Sequence, residues 1–336
     1  MKNHTSVILA GNLESETIIN LEKKITIEQP GGDLLYAAAG YRLWTDDGGL
    51  LSRIGENYPV KWIDHLETLG FVTSGIKRIP ETIDSRAFYA ILNEEENDSD
   101  NPIGYFGELG LPFPKPLLGY TNEAKNVPSR IKPGPLTLRP ADIPSSYLDA
   151  SIAYLGPVDY LSHSLLPSQF RMGMVNHLLI KLPRSIMNPS FWYDFPNMVR
   201  GINVLICTKK TILNLFLGHN SNLWEIAQII GNCGVEIVVI TCGKEGQIVY
   251  DHPGNHRWEI PAFPVKVVDN VHASDSFAGG FLAGFKIHFD PITSVLFGNI
   301  SASLKLQGDG PFFILDTLPA LAQSRLEVLR EKVISR

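Results

Sequence analysis

Cysteine is scarce in this chain, with three among 336 residues: Cys207, Cys233 and Cys242. An odd count with no Cys-x-x-Cys pair argues against a disulfide framework. Cys207 and Cys242 lie in apolar runs and read as small buried hydrophobes rather than metal ligands or nucleophiles. Positive charge is not in excess either. Lys and Arg number 29 against 35 Asp and Glu, a net charge of −6, so the electrostatic footprint of a nucleic-acid binder is missing. A local basic site for a phosphorylated ligand stays compatible with that balance. Long hydrophobic runs are absent: no stretch reaches the roughly 20 apolar residues that span a bilayer. Residues 1–5 are polar, and the apolar run at 6–10 is too short for a secretory signal core. The expectation is a cytoplasmic protein with neither membrane nor nucleic-acid partners.

Ordinary globular character is plentiful. Hydrophobic residues make up 44% and charged residues 19%, enough to bury a core without disulfides or metals. Apolar, β-branched runs at 6–10, 151–155, 203–207, 235–240 and 265–268 suit strands covered on both faces. Helical periodicity falls between and after them, at 34–44, 59–69, 223–232 and 275–289. Strand alternating with helix predicts an α/β fold around a parallel sheet. Residues 23–29 alternate like a half-exposed strand, and 86–92 are aromatic and β-branched. These two runs predict a small antiparallel sheet beside the main one. The acidic stretch after them, residues 94–100, reads as a solvated loop. Residues 108–145, rich in Pro and Gly, read as irregular.

The most informative stretch is Val267-Val-Asp-Asn-Val-His-Ala-Ser-Asp275-Ser-Phe-Ala-Gly-Gly-Phe281. It predicts a strand end, a run of small residues, and a helix opening near Asp275. A helix amino terminus presents free N–H groups and positive dipole character to a phosphate. An aspartate there can accept a proton from an attacking hydroxyl, or it can simply cap the helix. Spacing alone leaves both roles open. Upstream, Thr241-Cys-Gly-Lys-Glu-Gly246 follows a strand and offers two glycines where backbone can approach a ligand closely.

These segments resemble the signatures of the ribokinase, or PfkB, family of carbohydrate kinases, in which Gly-Ala-Gly-Asp is followed by Phe-x-x-Gly-Phe. Asp269, Ala273, Asp275, Phe277, Gly280 and Phe281 match. The resemblance covers nearly the whole chain. It implies a ribokinase-like α/β domain over residues 1–336: a mostly parallel central sheet flanked by helices, with a small β lid formed by about 12–30 and 84–107. It implies ATP and Mg²⁺, a sugar or sugar-like substrate, and phosphoryl transfer with Asp275 as general base. His272, Ala273 and Ser274 then form the anion hole. Thr241, Gly243 and Gly246 lie along the nucleotide, and Asn299 and Gly308 lie near its adenine. Glu16, Gly31, Gly32, Asp33 and Tyr36 face the substrate. No residue set is assigned to the metal, and the lid edges are open to pairing in a homodimer.

Four departures from the family pattern bear on activity. His272 and Ser274 replace the glycines of Gly-Ala-Gly-Asp, and the histidine ring could either obstruct phosphate or donate to it. The Asn-x-x-Glu motif that organises magnesium is missing, because Cys207 is followed by Thr-Lys-Lys-Thr211 with positive charge at Lys209 and Lys210. Tyr36 stands where a sugar-binding Asn is usual. Leu182 stands where an Asp often precedes the Pro at 183. Two readings therefore stay open: an ATP-dependent sugar kinase, or a weak or inactive relative that binds nucleotide or sugar as a sensor or assembly partner. A nicotinamide dehydrogenase is excluded, since Gly11-Asn-Leu-Glu-Ser-Glu16 after the first strand lacks GxGxxG.

Overall fold

The computed structural model describes residues 5–122 and 129–336. Fourteen strands form two sheets among the described residues. In chain order they are β1 (Val7–Ala10), β2 (Glu14–Ile19), β3 (Ile25–Gly31), β4 (Gly48–Ile54), β5 (Val72–Arg78), β6 (Arg86–Ile91) and β7 (Asn97–Asp98). There follow β8 (Ile152–Leu155), β9 (His177–Ile180), β10 (Val204–Thr208), β11 (Ile237–Thr241), β12 (Gln247–Asp251), β13 (His256–Ile260) and β14 (Ile334–Ser335).

The ten-stranded sheet has the order β14-β13-β12-β11-β10-β9-β8-β1-β4-β5. From β11 to β5 every pairing is parallel, and the β11–β12–β13–β14 edge is antiparallel. The four apolar runs at 6–10, 151–155, 203–207 and 235–240 all lie in this sheet. The run at 265–268 does not. Instead, Val268 accepts from the Leu21 N–H and donates to the Leu306 carbonyl, so it ties the small sheet to a helix end.

The second sheet, β3-β2-β6-β7, is built from the segments expected to form a lid. It is mixed rather than antiparallel: β2 and β6 pair in parallel, while the outer pairs are antiparallel. The chain makes a hairpin from β2 to β3 and then crosses the main sheet through β4 and β5. It therefore re-enters the lid running in the direction of β2. Phe88, Ala90, Ile19, Phe106 and Leu117 form a small separate core under this sheet.

Two helices hold the carboxy-terminal signature in place. Helix Ala273–His288 is buried from Asp275 to Phe285 and packs between helices Asp33–Arg42 and Pro291–Lys305. Gly279 makes that approach possible, because a Cβ there would overlap the Ala37 carbonyl of the neighbouring helix. No helix among the described residues is long and apolar enough to cross a membrane. The carboxyl ends of β1, β8, β9, β10 and β11 share one edge of the sheet, which is where α/β sheets place ligands.

Candidate active site

A cavity of about 620 Å³ opens at that edge, between the sheet and the lid. The β1 exit contributes Asn12 and Glu14, the lid contributes Tyr89, and the β9 exit contributes Lys181. The segment from His272 to Asp275 forms the wall opposite the lid tip.

Asp275 is 4% exposed and lies in the first turn of helix Ala273–His288. Its carboxylate does not cap the helix. Oδ1 accepts from Lys181 Nζ at 2.6 Å, and Oδ2 lies 3.0 Å from His272 Nδ1. The ring of His272 continues the chain, with Nε2 at 3.2 Å from Glu16 Oε1 and 3.3 Å from the Tyr89 hydroxyl. Glu16 in turn accepts from the Gly32 N–H at 2.7 Å and the Tyr36 hydroxyl at 2.9 Å. Glu16, His272, Asp275 and Lys181 thus form a buried file of alternating charge. Tyr36 stacks on His272 with ring centres 4.7 Å apart, and Lys305 Nζ stands 5.4 Å from the same tyrosine ring.

These contacts set the titration of the site. Burial alone would raise the Asp275 carboxyl, but the charges of Lys181 and His272 outweigh it and hold the group below the usual carboxylate range. Burial disfavours the charged imidazole of His272, yet Asp275 and Glu16 pull it well above its ordinary value. Glu14 is pushed up to about 7 by burial, with His272 opposing and the Glu16 and Asp275 charges adding to the rise. Asp33 is raised well above its usual range by burial and then by Asp275 and Glu14. Near neutrality Glu14 is therefore in mid-titration beside an ionised Asp275.

The backbone before the helix is also specific. His272 has φ 54° and ψ 19°, the left-handed region that a glycine would adopt freely. The ring is drawn inward onto Glu16 and Tyr36. The N–H groups of Ala273 and Asp275 turn back to the carbonyls of Asn270 and His272, at 3.4 and 2.9 Å. Ser274, whose hydroxyl accepts from Lys181 Nζ at 2.7 Å, lines the cavity between them.

The turn after β11 carries φ +58° at Gly243 and φ +94° at Gly246. The acidic lid loop, expected to be solvated, docks on it. Glu95 accepts from the Lys244 N–H at 3.2 Å, and Asn270 Nδ2 donates to the carbonyls of Asn93 and Glu96 at 3.0 and 3.3 Å.

Several residues expected to touch ligand do not reach the cavity. Glu16, Gly31, Gly32 and Tyr36 lie behind its wall, Glu16 and Tyr36 fully buried, while Glu14, Asn12 and Asp33 line it. Asn299 is engaged on both sides of its amide, by Gln247, Pro261 and the Phe263 N–H, and pins the segment after β13. Gly308 is pressed against the Phe313 ring. Thr241 donates to the Cys207 carbonyl at 3.4 Å. Lys209 pairs with Glu245 at 2.6 Å, and Lys210 is exposed. Beside His272, positive charge reaches the helix tip from Lys181, a residue not among the expected site residues. Its signal was a lone lysine at the carboxyl end of a buried parallel strand.

Residues 181–318 match the family model described as pfkB family carbohydrate kinase, and that span contains Lys181, the Gly243 turn and Asp275. The carboxy-terminal part of the chain is thus similar to the PfkB family. Among curated relatives, the cytidine kinase of Thermococcus kodakarensis is 25% identical over 290 residues, covering 83% of this chain and 88% of that one. The fold is that of the ribokinases. A ribokinase II from E. coli, solved with ATP and Mg²⁺, superimposes with TM-score 0.72 at 14% identity over 96% of this chain and 99% of the other. A Burkholderia thailandensis nucleoside kinase in complex with inosine superimposes with TM-score 0.66 at 16% identity over 96% and 98%. At the β10 exit the wall is built of Thr208 and Thr211, without a carboxylate.

Proposed function

We propose that this protein is a PfkB-type kinase that transfers the γ-phosphoryl group of ATP to a hydroxyl of a nucleoside-sized or sugar-like substrate, with Asp275 as general base. The observation that carries this reading is the Asp275 carboxylate itself. It is buried at a helix amino terminus, free of any capping bond, and borders a cavity that a lid covers. A lid that excludes water directs the phosphoryl group to substrate rather than to solvent. Asn12, Glu14 and Asp33 offer hydroxyl-binding groups, and Tyr89 and Tyr120 give the cavity an aromatic side suited to a nucleobase. The curated cytidine kinase and the inosine-bound nucleoside kinase favour a nucleoside over a free sugar.

ATP suits the helix amino terminus and the Gly243 turn, and Mg²⁺ would arrive on its phosphates, neutralising their charge. The phosphate-side residues Thr208, Thr211 and Ser274 supply hydroxyls and no carboxylate, so they do not form a dedicated magnesium site. Glu14, Glu16 and His272 have ligand atoms within 4.8 Å of one another, but His272 Nε2 already faces Glu16 and Tyr89. The open edges β3 and β7 of the lid are where two copies would pair.

One observation favours the alternative of a nucleotide-binding protein with little turnover: both Asp275 oxygens are already held by cations. ADP release measured across nucleosides and sugars with ATP and Mg²⁺ decides between them. Turnover of at least one nucleoside is the expected result. ATP binding with no acceptor phosphorylated would favour the sensor.

Two further outcomes are expected at this site. Gly243→Val introduces a β-branched residue at φ +58°, a local strain of about 1–3 kcal/mol. It should weaken ATP binding by about tenfold, or roughly 1.4 kcal/mol, without unfolding the protein. Calorimetry showing wild-type affinity in the folded variant would remove this turn from the nucleotide site. Glu14→Gln mimics the protonated carboxyl. Because burial raises Glu14 to about 7, wild type carries a poorly solvated anion at pH 8 and a neutral group at pH 5. The variant should therefore melt higher than wild type at pH 8, by roughly 1–3 kcal/mol of stability, and match it at pH 5. An equal gap at both pH values would contradict the raised carboxyl.

A further inference from the structure

Building on the phosphotransferase reading, we infer that Lys181 is a catalytic cation that exchanges Asp275 for the transferring γ-phosphoryl group. Phosphoryl transfer is helped by fixed positive charge on the oxygens of the moving group. The β10 exit provides no carboxylate to fix a metal there, Lys209 is tied to Glu245, and Lys210 points to solvent. Lys181 is the cation that the fold delivers to the helix tip. It follows β9 directly, its side chain is 9% exposed, and its ammonium sits 2.6 Å from Asp275 Oδ1 and 2.7 Å from Ser274 Oγ. An ammonium has three donors, and two are engaged, so one is left for a ligand oxygen in the cavity that Lys181 lines.

The ligand-free arrangement has a chemical consequence. With Lys181 on Oδ1 and His272 on Oδ2, each Asp275 oxygen is held by a cation, which lowers its basicity towards a substrate proton. A triphosphate at the helix amino terminus offers Lys181 a second anion within reach of Ser274. When the ammonium moves onto a γ-phosphoryl oxygen, Oδ1 is released towards the substrate hydroxyl, and His272 still orients the carboxylate through Oδ2. The substrate O–H proton then passes to Asp275 Oδ1 as the substrate oxygen bonds to the γ-phosphorus. The bond from that phosphorus to the β,γ-bridging oxygen breaks, and its electron pair leaves with ADP. Lys181 keeps its proton throughout. ATP thereby unmasks the base, and protonation of Asp275 by an acceptor is coupled to occupancy of the phosphate site.

The test compares ATP with ADP, because only ATP carries the γ-phosphoryl group. In Lys181→Met, calorimetry should show ATP binding weakened about tenfold or more and ADP binding changed less than about twofold, while kcat falls by roughly 10²–10³, as for loss of one preorganised donor. Lys181→Arg, which keeps the charge, should retain part of the ATP preference. If Lys181→Met fails to fold around an unpaired Asp275, Lys181→Met with Asp275→Asn removes that charge and should show the same loss of ATP preference. Equal weakening of ATP and ADP, or none, would overturn the assignment. So would faster turnover in Lys181→Met, which would make the lysine only a mask. Wild type that prefers ATP through Lys181 yet phosphorylates no acceptor would overturn the phosphotransferase reading and leave the lysine contact standing. Wild type that binds no ATP would overturn both.

Discussion

Replacing Asp275 with asparagine is expected to lower ADP release by about 10²–10⁴-fold, the range for loss of a positioned general base, while ATP still binds. The amide has nearly the shape of the carboxylate but cannot take the substrate proton. It also leaves Lys181 and His272 without their shared anion. Breaking a buried ion pair from one side costs about 3–5 kcal/mol, so the free variant should melt well below wild type. The triphosphate supplies the missing negative charge at the same place, and ATP should therefore stabilise the variant more than it stabilises wild type. The sign with pH follows from the direction of the shift. Asp275 is held below its usual range, so its contribution is present above the ordinary aspartate value and is lost as pH falls through the depressed one. The stability gap should accordingly be wide at pH 7 and close in strong acid. Turnover at the wild-type rate in the folded variant would remove Asp275 from the chemistry.

Much of this site was legible because its main feature is local. A strand, a run of small residues and an apolar helix with an early aspartate can be read within fifteen residues, and the structure opens that helix at Ala273 and directs Asp275 inward. What stayed hidden depends on depth and on distant partners. Glu14 and Glu16 are two apart on one strand, so their side chains share a face, and alternation cannot say which reaches the cavity. The answer comes from Gly31, Gly32 and Tyr36, which cover Glu16 and leave Glu14 at the rim. The run at 265–268 is as apolar as the true strands, but its backbone is taken by Leu21 and Leu306 rather than by a sheet neighbour. Lys209 and Lys210 follow a strand, and the sequence places their charge at the missing magnesium motif. The helix they open turns Lys209 to Glu245 instead, while Lys181, one strand over, faces inward. In the lid, the parallel pairing of β2 with β6 follows from the long crossover between them, which no short pattern records.

The double replacement of His272 and Ser274 by glycine would restore the family's Gly-Ala-Gly-Asp, and it is expected to weaken this protein rather than improve it. An obstructing ring would predict a faster enzyme. A ring donating to phosphate would predict a slower one whose wild type loses activity as imidazole deprotonates. In the structure both ring nitrogens face carboxylates, Asp275 at 3.0 Å and Glu16 at 3.2 Å. The ring acts as a positioning residue that joins two buried anions. Glycine at 272 would relieve left-handed backbone worth about 1–2 kcal/mol. Against that stands the loss of a cation between two buried carboxylates, about 3–5 kcal/mol, and of the Ser274 bond to Lys181, about 1 kcal/mol. The losses exceed the relief, so the double variant should be less stable by roughly 2–5 kcal/mol and slower. Because the His272 imidazole is raised well above its ordinary value, its contribution is complete below the unfolded value and fades as pH climbs through the raised one. The gap in melting temperature should therefore be widest below the ordinary imidazole range and shrink as pH climbs through the raised one, a dependence that simple loss of packing would not produce. Returning histidine at 272 alone should recover most of both stability and rate. A double variant that turns over faster than wild type and melts no lower would show that the ring obstructs phosphate after all.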